Sequence, residues 1–193
     1  ETVHVINLPR RTDRIISIVA ESRQQSFALR FWDGIDEPSL KAVKKAICLS
    51  HKQIIRYAQQ QRLPYVVIAE DDLMMFGEGA FQYWIDNKPE DFDLYCGTVF
   101  DGEVCPDTNR IKNGMSATMT LYMVHSRFYH VILNDIADDS HIDRSLGMLA
   151  HKYKYFVPPL LVCSQRQGFS DNRKQKTGDY SVYLQNRKIF GRD

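Results

Sequence analysis

At 193 residues the chain has room for one domain with a self-sufficient core, and two domains of that total length would both be small. Its 44% hydrophobic and 25% charged residues are the make-up of an ordinary soluble globular protein and exclude wholesale disorder. The 25 basic and 24 acidic residues nearly cancel, which excludes a whole-molecule field that gathers nucleic acid, so an anionic ligand must be held by local clusters.

In chain order, Val3 to Leu8 reads as a strand, and Thr12 stands where it can cap a helix with Ile15, Ile18 and Val19 on one face. Phe27 to Phe31 forms a second predicted strand, followed by the turn-like Asp33-Gly34. Leu40, Val43, Ile47, Ile54, Ile55 and Ala58 then recur at helical spacing to about Gln61, and Leu63-Pro64 closes that helix. Next comes Tyr65-Val66-Val67-Ile68-Ala69, apolar throughout as a buried central strand is, and then three consecutive acids, Glu70-Asp71-Asp72. The β-α-β-α-β order predicts a single α/β domain, a mainly parallel central sheet flanked by helices, with ligands at the carboxyl ends of its strands.

Beyond the acids the expected elements are a strand from Phe92 to Gly97 and a polar loop through Asp101, Asp107 and Asn113. A strand from Ala117 to Val124 follows, then a short helix capped by Ser126 and reaching about Ile136, and another helix from Ile142 to His151. Tyr155 to Val157 and Leu160 to Cys163 are short apolar pieces on either side of Pro158-Pro159. From Ser170 the chain turns polar and basic, and Asn172-Arg173-Lys174-Gln175-Lys176 is either a solvated segment or a lid that orders over an anion.

Cys48, Cys96, Cys105 and Cys163 are widely spaced, without a C-x-x-C pair or a His at finger-like spacing, and read as free thiols rather than a zinc site. The sequence shows neither a charged-then-apolar leader nor an apolar stretch of about 18 residues. The expectation is therefore a cytoplasmic protein, and its basic run near the carboxyl terminus is compatible with peripheral contact to an anionic bilayer.

Three adjacent acids repel one another unless something cationic gathers them. In an extended strand Glu70 and Asp72 project to one side and Asp71 to the other, an acidic-x-acidic pair whose oxygen-only donors suit Mg²⁺ or Mn²⁺. The alternative is a solvated acidic turn that merely ends the strand. Arg10, Arg11 and Arg14 follow the first strand, where guanidinium groups can grip phosphate oxygens or simply be solvated; on a helix Arg10 and Arg14 share a face and Arg11 turns away. Asp33 can accept hydrogen bonds from a base or ribose, or serve the turn. His51 falls on the apolar stripe of its helix, as a core histidine tying helix to sheet or, with Ser50, as support for the acidic loop or a contact to a donor.

Ile6-Asn7-Leu8, Arg10-Arg11-Thr12-Asp13-Arg14, Asp33-Gly34, Cys48-Leu49-Ser50-His51 and Leu63-Pro64-Tyr65 leading into Glu70-Asp71-Asp72 resemble, in order and spacing, the family 25 glycosyltransferases. These include bacterial lipooligosaccharide glycosyltransferases and collagen galactosyltransferases. The similarity continues more weakly through Gly114 to Val124, Ile142-Asp143, Pro158-Pro159 to Gln165, and Ser170-Asp171. It implies a GT-A fold with a nucleotide-sugar-binding half (1–100), an acceptor-binding half (101–170) and a basic tail (171–193). The implied activity is inverting transfer of a hexose, galactose foremost, from a nucleotide-diphosphate donor, UDP foremost, to a saccharide or glycoconjugate hydroxyl.

On that resemblance Glu70 and Asp72 would hold Mn²⁺ or Mg²⁺ against the departing diphosphate, with Asp171 as a further metal or phosphate-proximal residue. Asn7, Arg10, Arg11, Arg14, Asp33, Ser50, His51 and Asp71 would contact or support the donor. Asp143, which matches the family's acid in the second half, would take the proton from the acceptor hydroxyl, or it only caps its helix; Asp139 is the reserve. Two other classes fit clustered carboxylates on an α/β sheet. One is a metal-dependent nucleotidyltransferase or phosphohydrolase, although neither G-x-x-x-x-G-K-[ST] nor G-x-G-x-x-G is present. The other is a transferase-like module that binds nucleotide or glycan without turnover.

Overall fold

The structure, a computed structural model, describes all residues except 38, 40, 41, 117, 118, 172–174, 177, 179–183, 185, 186 and 193. Its first third runs β1 (Thr2–Asn7), α1 (Thr12–Gln25), β2 (Ala28–Asp33), α2 (Val43–Gln60) and β3 (Tyr65–Glu70), the expected alternation. β1 pairs in parallel with both β2 and β3, and the register sets Asn7 beside Asp33 and Ile6 beside Glu70. The carboxyl ends of three strands therefore lie almost level, and whatever follows each strand meets its neighbours at one edge.

The rest of the chain is β4 (Leu73–Met75), α3 (Ala80–Asp86), β5 (Leu94–Cys96), β6 (Asp101–Val104), β7 (Ile111–Ser116), β8 (Leu121–His125), α4 (Tyr129–Asn134) and α5 (Ile142–Leu149). It ends with β9 (Tyr155–Phe156), β10 (Cys163–Gln165), β11 (Phe169–Ser170) and β12 (Gln175–Lys176). The central sheet has the order β2-β1-β3-β8-β5-β9. It is parallel apart from β8, which runs antiparallel to β3 and β5. Alternate residues of β3 enter opposite core layers: Val66 and Ile68 pack with Ile54, Ile55 and Ala58 of α2, while Val67 and Ala69 join Val3, Val5 and Trp84. Burial on both faces is why this strand is apolar at consecutive positions.

Several elements differ from the sequence expectation. Thr12 is the first helical residue of α1 rather than its cap; Arg11 holds the cap position with no side-chain cap. Leu40 and Lys41 lie outside the described residues, and α2 is described from Val43. Ser126 opens a 3-10 turn whose cap is His125, the ring accepting from the Arg127 N–H at 3.3 Å. The segment through Asp101 and Asn113 is not a loop but an antiparallel hairpin, β6 on β7, with register shifts that hide its two-residue alternation. Ala117 and, in the basic run, residues 172–174 are also outside the described residues. All four cysteines are free, three of them buried. Among the described residues no helix is long and apolar enough to cross a membrane.

Gly97, just past β5, marks where the segment entering β10 crosses the sheet: its N–H donates to Leu121 O at 2.8 Å and its carbonyl accepts from Val162 N at 3.0 Å. A Cβ there would meet Cys163 Sγ at 2.8 Å and Val162 Cγ2 at 3.2 Å. Gly97→Ala is expected to cost about 1–3 kcal/mol by overpacking, read as a lower urea midpoint at unchanged slope. An unchanged midpoint would show that the crossing yields freely.

Candidate active site

A cavity of about 260 Å³ opens at the level strand ends. Its floor is Ile6, Leu8 and the Glu70-Asp71-Asp72 turn; Arg10 and Arg14 form one wall, Ser50 and His51 of α2 another, and His141, Ile142 and Asp143 at the start of α5 a third. Gln165 of β10 and Ser170-Asp171 close it from the carboxyl-terminal side. Of the residues expected from sequence, Arg10, Arg14, Ser50, His51, Glu70, Asp71, Asp72, Asp143 and Asp171 are brought together here. Asn7, Arg11 and Asp33 are not in the lining: Asn7 is buried beneath it, donating to Arg11 O at 3.3 Å, and Asp33 is exposed. Asp139, the reserve base, is exposed and outside the lining.

The acids are not split across the sheet as strand alternation predicts. β3 ends at Glu70, and Asp71 and Asp72 form a turn, so all three line the cavity. Arg14 Nη1 bonds Asp71 Oδ1 and lies 3.4 Å from Asp72 Oδ2. Glu70 faces the other way within the cavity, accepting from Gln165 Nε2 at 3.0 Å and lying 3.6 Å from His51 Nε2. Burial pulls against the ionised form of all three, but the hydrogen bond and charge of His51, then Gln165, hold Glu70 below the ordinary carboxylate range. Burial raises Asp71 to about 6, with Arg14 opposing and Glu70 adding. Asp72 goes furthest: burial first, then the charge of Glu70, raise it to about 8 against the pull of Arg14.

Asp72 Oδ1 is buried and has no hydrogen-bond partner among the described residues. An orphaned carboxylate oxygen beside a second acid is a place a divalent cation fits. Among the described residues no three of His, Cys, Asp and Glu gather into a ready set of ligands. The donor set therefore suits a cation held by one or two carboxylates and completed by water and a ligand's phosphate oxygens, the habit of Mg²⁺ and Mn²⁺.

The arginines are engaged with acids. Arg10 pairs with Asp36 and with Asp171, each at 2.6 Å, and Arg11 pairs with Asp13 at 2.7 Å and with Asp171. Asp171, considered from sequence as a metal or phosphate-proximal residue, thus sits on two guanidinium groups, which hold its carboxyl below the usual range although burial opposes them. With Ser170 it lines the cavity.

His51 is 1% exposed: Nδ1 is 2.7 Å from the Tyr122 hydroxyl on β8, tying α2 to the sheet, and Nε2 faces Glu70 at 3.6 Å. Ser50 accepts the Ile35 N–H at 2.9 Å, which fixes the loop after β2, and its hydroxyl proton is spent on Ala46 O of α2 at 2.8 Å. Asp143 is not the cap of α5, a position held by His141; its carboxylate accepts the Arg144 N–H at 2.8 Å and lines the cavity. Gln165, Tyr122 and Asp36 escaped the sequence reading. No local pattern marks them; Gln165 arrives only because β10 pairs with β4, Gln165 opposite Leu73.

No protein-family model and no curated protein matches the sequence. Among solved structures the chain is similar to a mutant of Drosophila β-1,4-galactosyltransferase 7 in complex with manganese, UDP-Gal and xylobiose. That likeness has 9% identity and a TM-score of 0.51, over 100% of this chain and 81% of that one. It is also similar to A197 from STIV, at 12% identity and a TM-score of 0.52, over 93% and 95% of the two chains. A glycosyltransferase involved in the glycosylation of the major capsid of PBCV-1 aligns at 10% identity over 81% of this chain and 80% of that one, with a TM-score of 0.48. The fold is of the GT-A type. At such identities the likeness extends to the fold alone.

Proposed function

We propose that the protein is a glycosyltransferase of the family 25 kind, transferring a hexose, galactose foremost, from a nucleotide-diphosphate donor, UDP foremost, to a saccharide or glycoconjugate hydroxyl with inversion. The observation that carries this reading is the acidic turn at the end of β3, facing Arg10 and Arg14 on one side and Asp143 on another across a single cavity. A site that cleaves a sugar–phosphate bond needs positive charge where the diphosphate departs and a base where the acceptor enters.

In this reading Asp72 and Glu70 hold Mn²⁺ or Mg²⁺, which when bound supplies positive charge to the leaving diphosphate. Arg14 keeps Asp71 in place and, with Arg10, offers guanidinium edges to the phosphates. Glu70 is kept ionised by His51 and Gln165. Asp143 takes the acceptor proton as the acceptor oxygen attacks the anomeric carbon from the side opposite the phosphate, which inverts that carbon. The half up to residue 100 supplies the donor groups, and the following half supplies Asp143 and the acceptor surface.

Calorimetric titration of nucleoside diphosphates with and without Mn²⁺ tests the reading. UDP is expected to bind with metal present and to weaken at least about tenfold in Asp72→Ala. Binding of no nucleoside diphosphate by folded protein would overturn it. Metal-dependent release of free sugar that no acceptor diverts would instead make the protein a hydrolase.

A further inference from the structure

We propose that Asp171 is a built-in competitor for an anion site formed by Arg10 and Arg11, so that a phosphate-bearing ligand enters by displacing this carboxylate and the β11–β12 hairpin behind it. The inference rests on the donor reading only for the identity of the ligand, not for the site.

Each guanidinium has one edge committed to a nearby acid. Arg10 gives Nε to Asp36 at 2.6 Å and Nη2 to the same carboxylate at 3.2 Å; Arg11 gives Nε and Nη2 to Asp13 at 2.9 and 2.7 Å. The remaining Nη1 of each converges on Asp171, Arg10 on Oδ1 at 2.6 Å and Arg11 on Oδ2. Two guanidinium nitrogens on two oxygens of one acid is the arrangement that a bridging phosphate also satisfies. Asp13 is two residues from Arg11 and moves with it, whereas Asp171 arrives from a hairpin 160 residues away.

Charge points the same way. Asp13, Asp36 and Asp171 are three carboxylates on two arginines, so an anion approaching the closed site meets a net negative group. With Asp171 gone the count is even and two donors are free. The hairpin is otherwise fastened there by its backbone: Phe169 O accepts from Arg11 Nη1 at 3.1 Å and Arg14 Nη2 at 2.9 Å, bonds that a phosphate on the same guanidinium groups would loosen. Asp171 is only 14% exposed, so it occupies the site rather than brushing past it.

The test is titration of inorganic pyrophosphate, and separately of UDP, into the metal-free full chain as wild type, Asp171→Asn and Asp13→Asn. If the carboxylate fills the site nine-tenths of the time, Asp171→Asn binds pyrophosphate about tenfold tighter. Asp13→Asn, with the same charge change, gains much less, and saturating pyrophosphate speeds amide exchange at Phe169 and Ser170 in the wild type. Unchanged or weaker binding in Asp171→Asn, an equal gain in Asp13→Asn, or unaltered exchange would each overturn the proposal. If pyrophosphate follows the expected pattern and no nucleoside diphosphate binds even after Mn²⁺ is added, the competitor stands and the donor reading falls. If UDP binds wild type and Asp171→Asn alike, the donor reading stands and the competitor falls.

Discussion

Asp72→Asn is expected to make the metal-free protein more stable at pH 8 while removing metal-supported nucleotide binding. The Asp72 carboxyl stands at about 8 in the fold against 3.8 for the ordinary group, so the folded chain holds that proton more tightly than the unfolded chain does. Stability from this residue is therefore full below about pH 4 and is lost as pH rises toward 8, because the unfolded chain ionises Asp72 freely and the fold does not. Asparagine cannot take on the charge. Urea unfolding should show the variant ahead by about 1–3 kcal/mol at pH 8 and nearly level with wild type at pH 4. Mn²⁺ should stabilise wild type at pH 8 and leave the variant unmoved, since the cation relieves the same repulsion from Glu70 that the substitution removes. A variant less stable than wild type at pH 8 would mean that Asp72 is well compensated in the fold, and the orphaned Oδ1 would then need another explanation.

The parts of this fold legible in the sequence are those whose signal is local. The run from Tyr65 to Glu70 announces a strand buried on both faces, and the stripe Val43, Ile47, Ile54, Ile55 and Ala58 announces α2, because side-chain period and burial coincide there. The β6–β7 hairpin was missed since its strands shift register between Asp101 and Val104, and α3 since seven residues are too few to show a period. The direction of β8 was open as well: nothing in Leu121–His125 distinguishes a strand antiparallel to β3 from a parallel one.

At the site, the acidic turn and the arginines were visible as residue types, but their partners were not. Strand alternation failed at Asp71 because it was carried one residue past the end of β3. Gln165, Tyr122 and the bridge from Arg10 and Arg11 to Asp171 depend on contacts across 71 residues or more, which no window along the chain contains.

Lys52→Met is expected to destabilise the fold by about 2–4 kcal/mol, and it tests a feature wholly hidden from the sequence. Lys52 sits within α2 and is 1% exposed, an unusual place for an ammonium. All three of its donors are used: Nζ reaches Ile136 O at 2.5 Å, Asp138 Oδ1 at 2.6 Å and Leu133 O at 3.3 Å. It thereby gathers the end of α4 and fixes the start of the segment that leads to His141 and Asp143 on the cavity wall. Methionine keeps most of the buried stem, so packing is nearly conserved and the loss falls on the hydrogen bonds. Asp138 is 48% exposed and can turn to water, but the two carbonyls at the end of α4 lose a charged partner. For a chain of this size the melting temperature should fall by roughly 5–15 °C. Donor affinity should hold, because the donor groups sit at the ends of β1 and β3, whereas turnover should drop about tenfold as Asp143 loses its fixed position. A variant that melts with wild type would remove Lys52 as the fastening. A fall in donor affinity equal to the fall in turnover would show that the two sides of the cavity are not independently held.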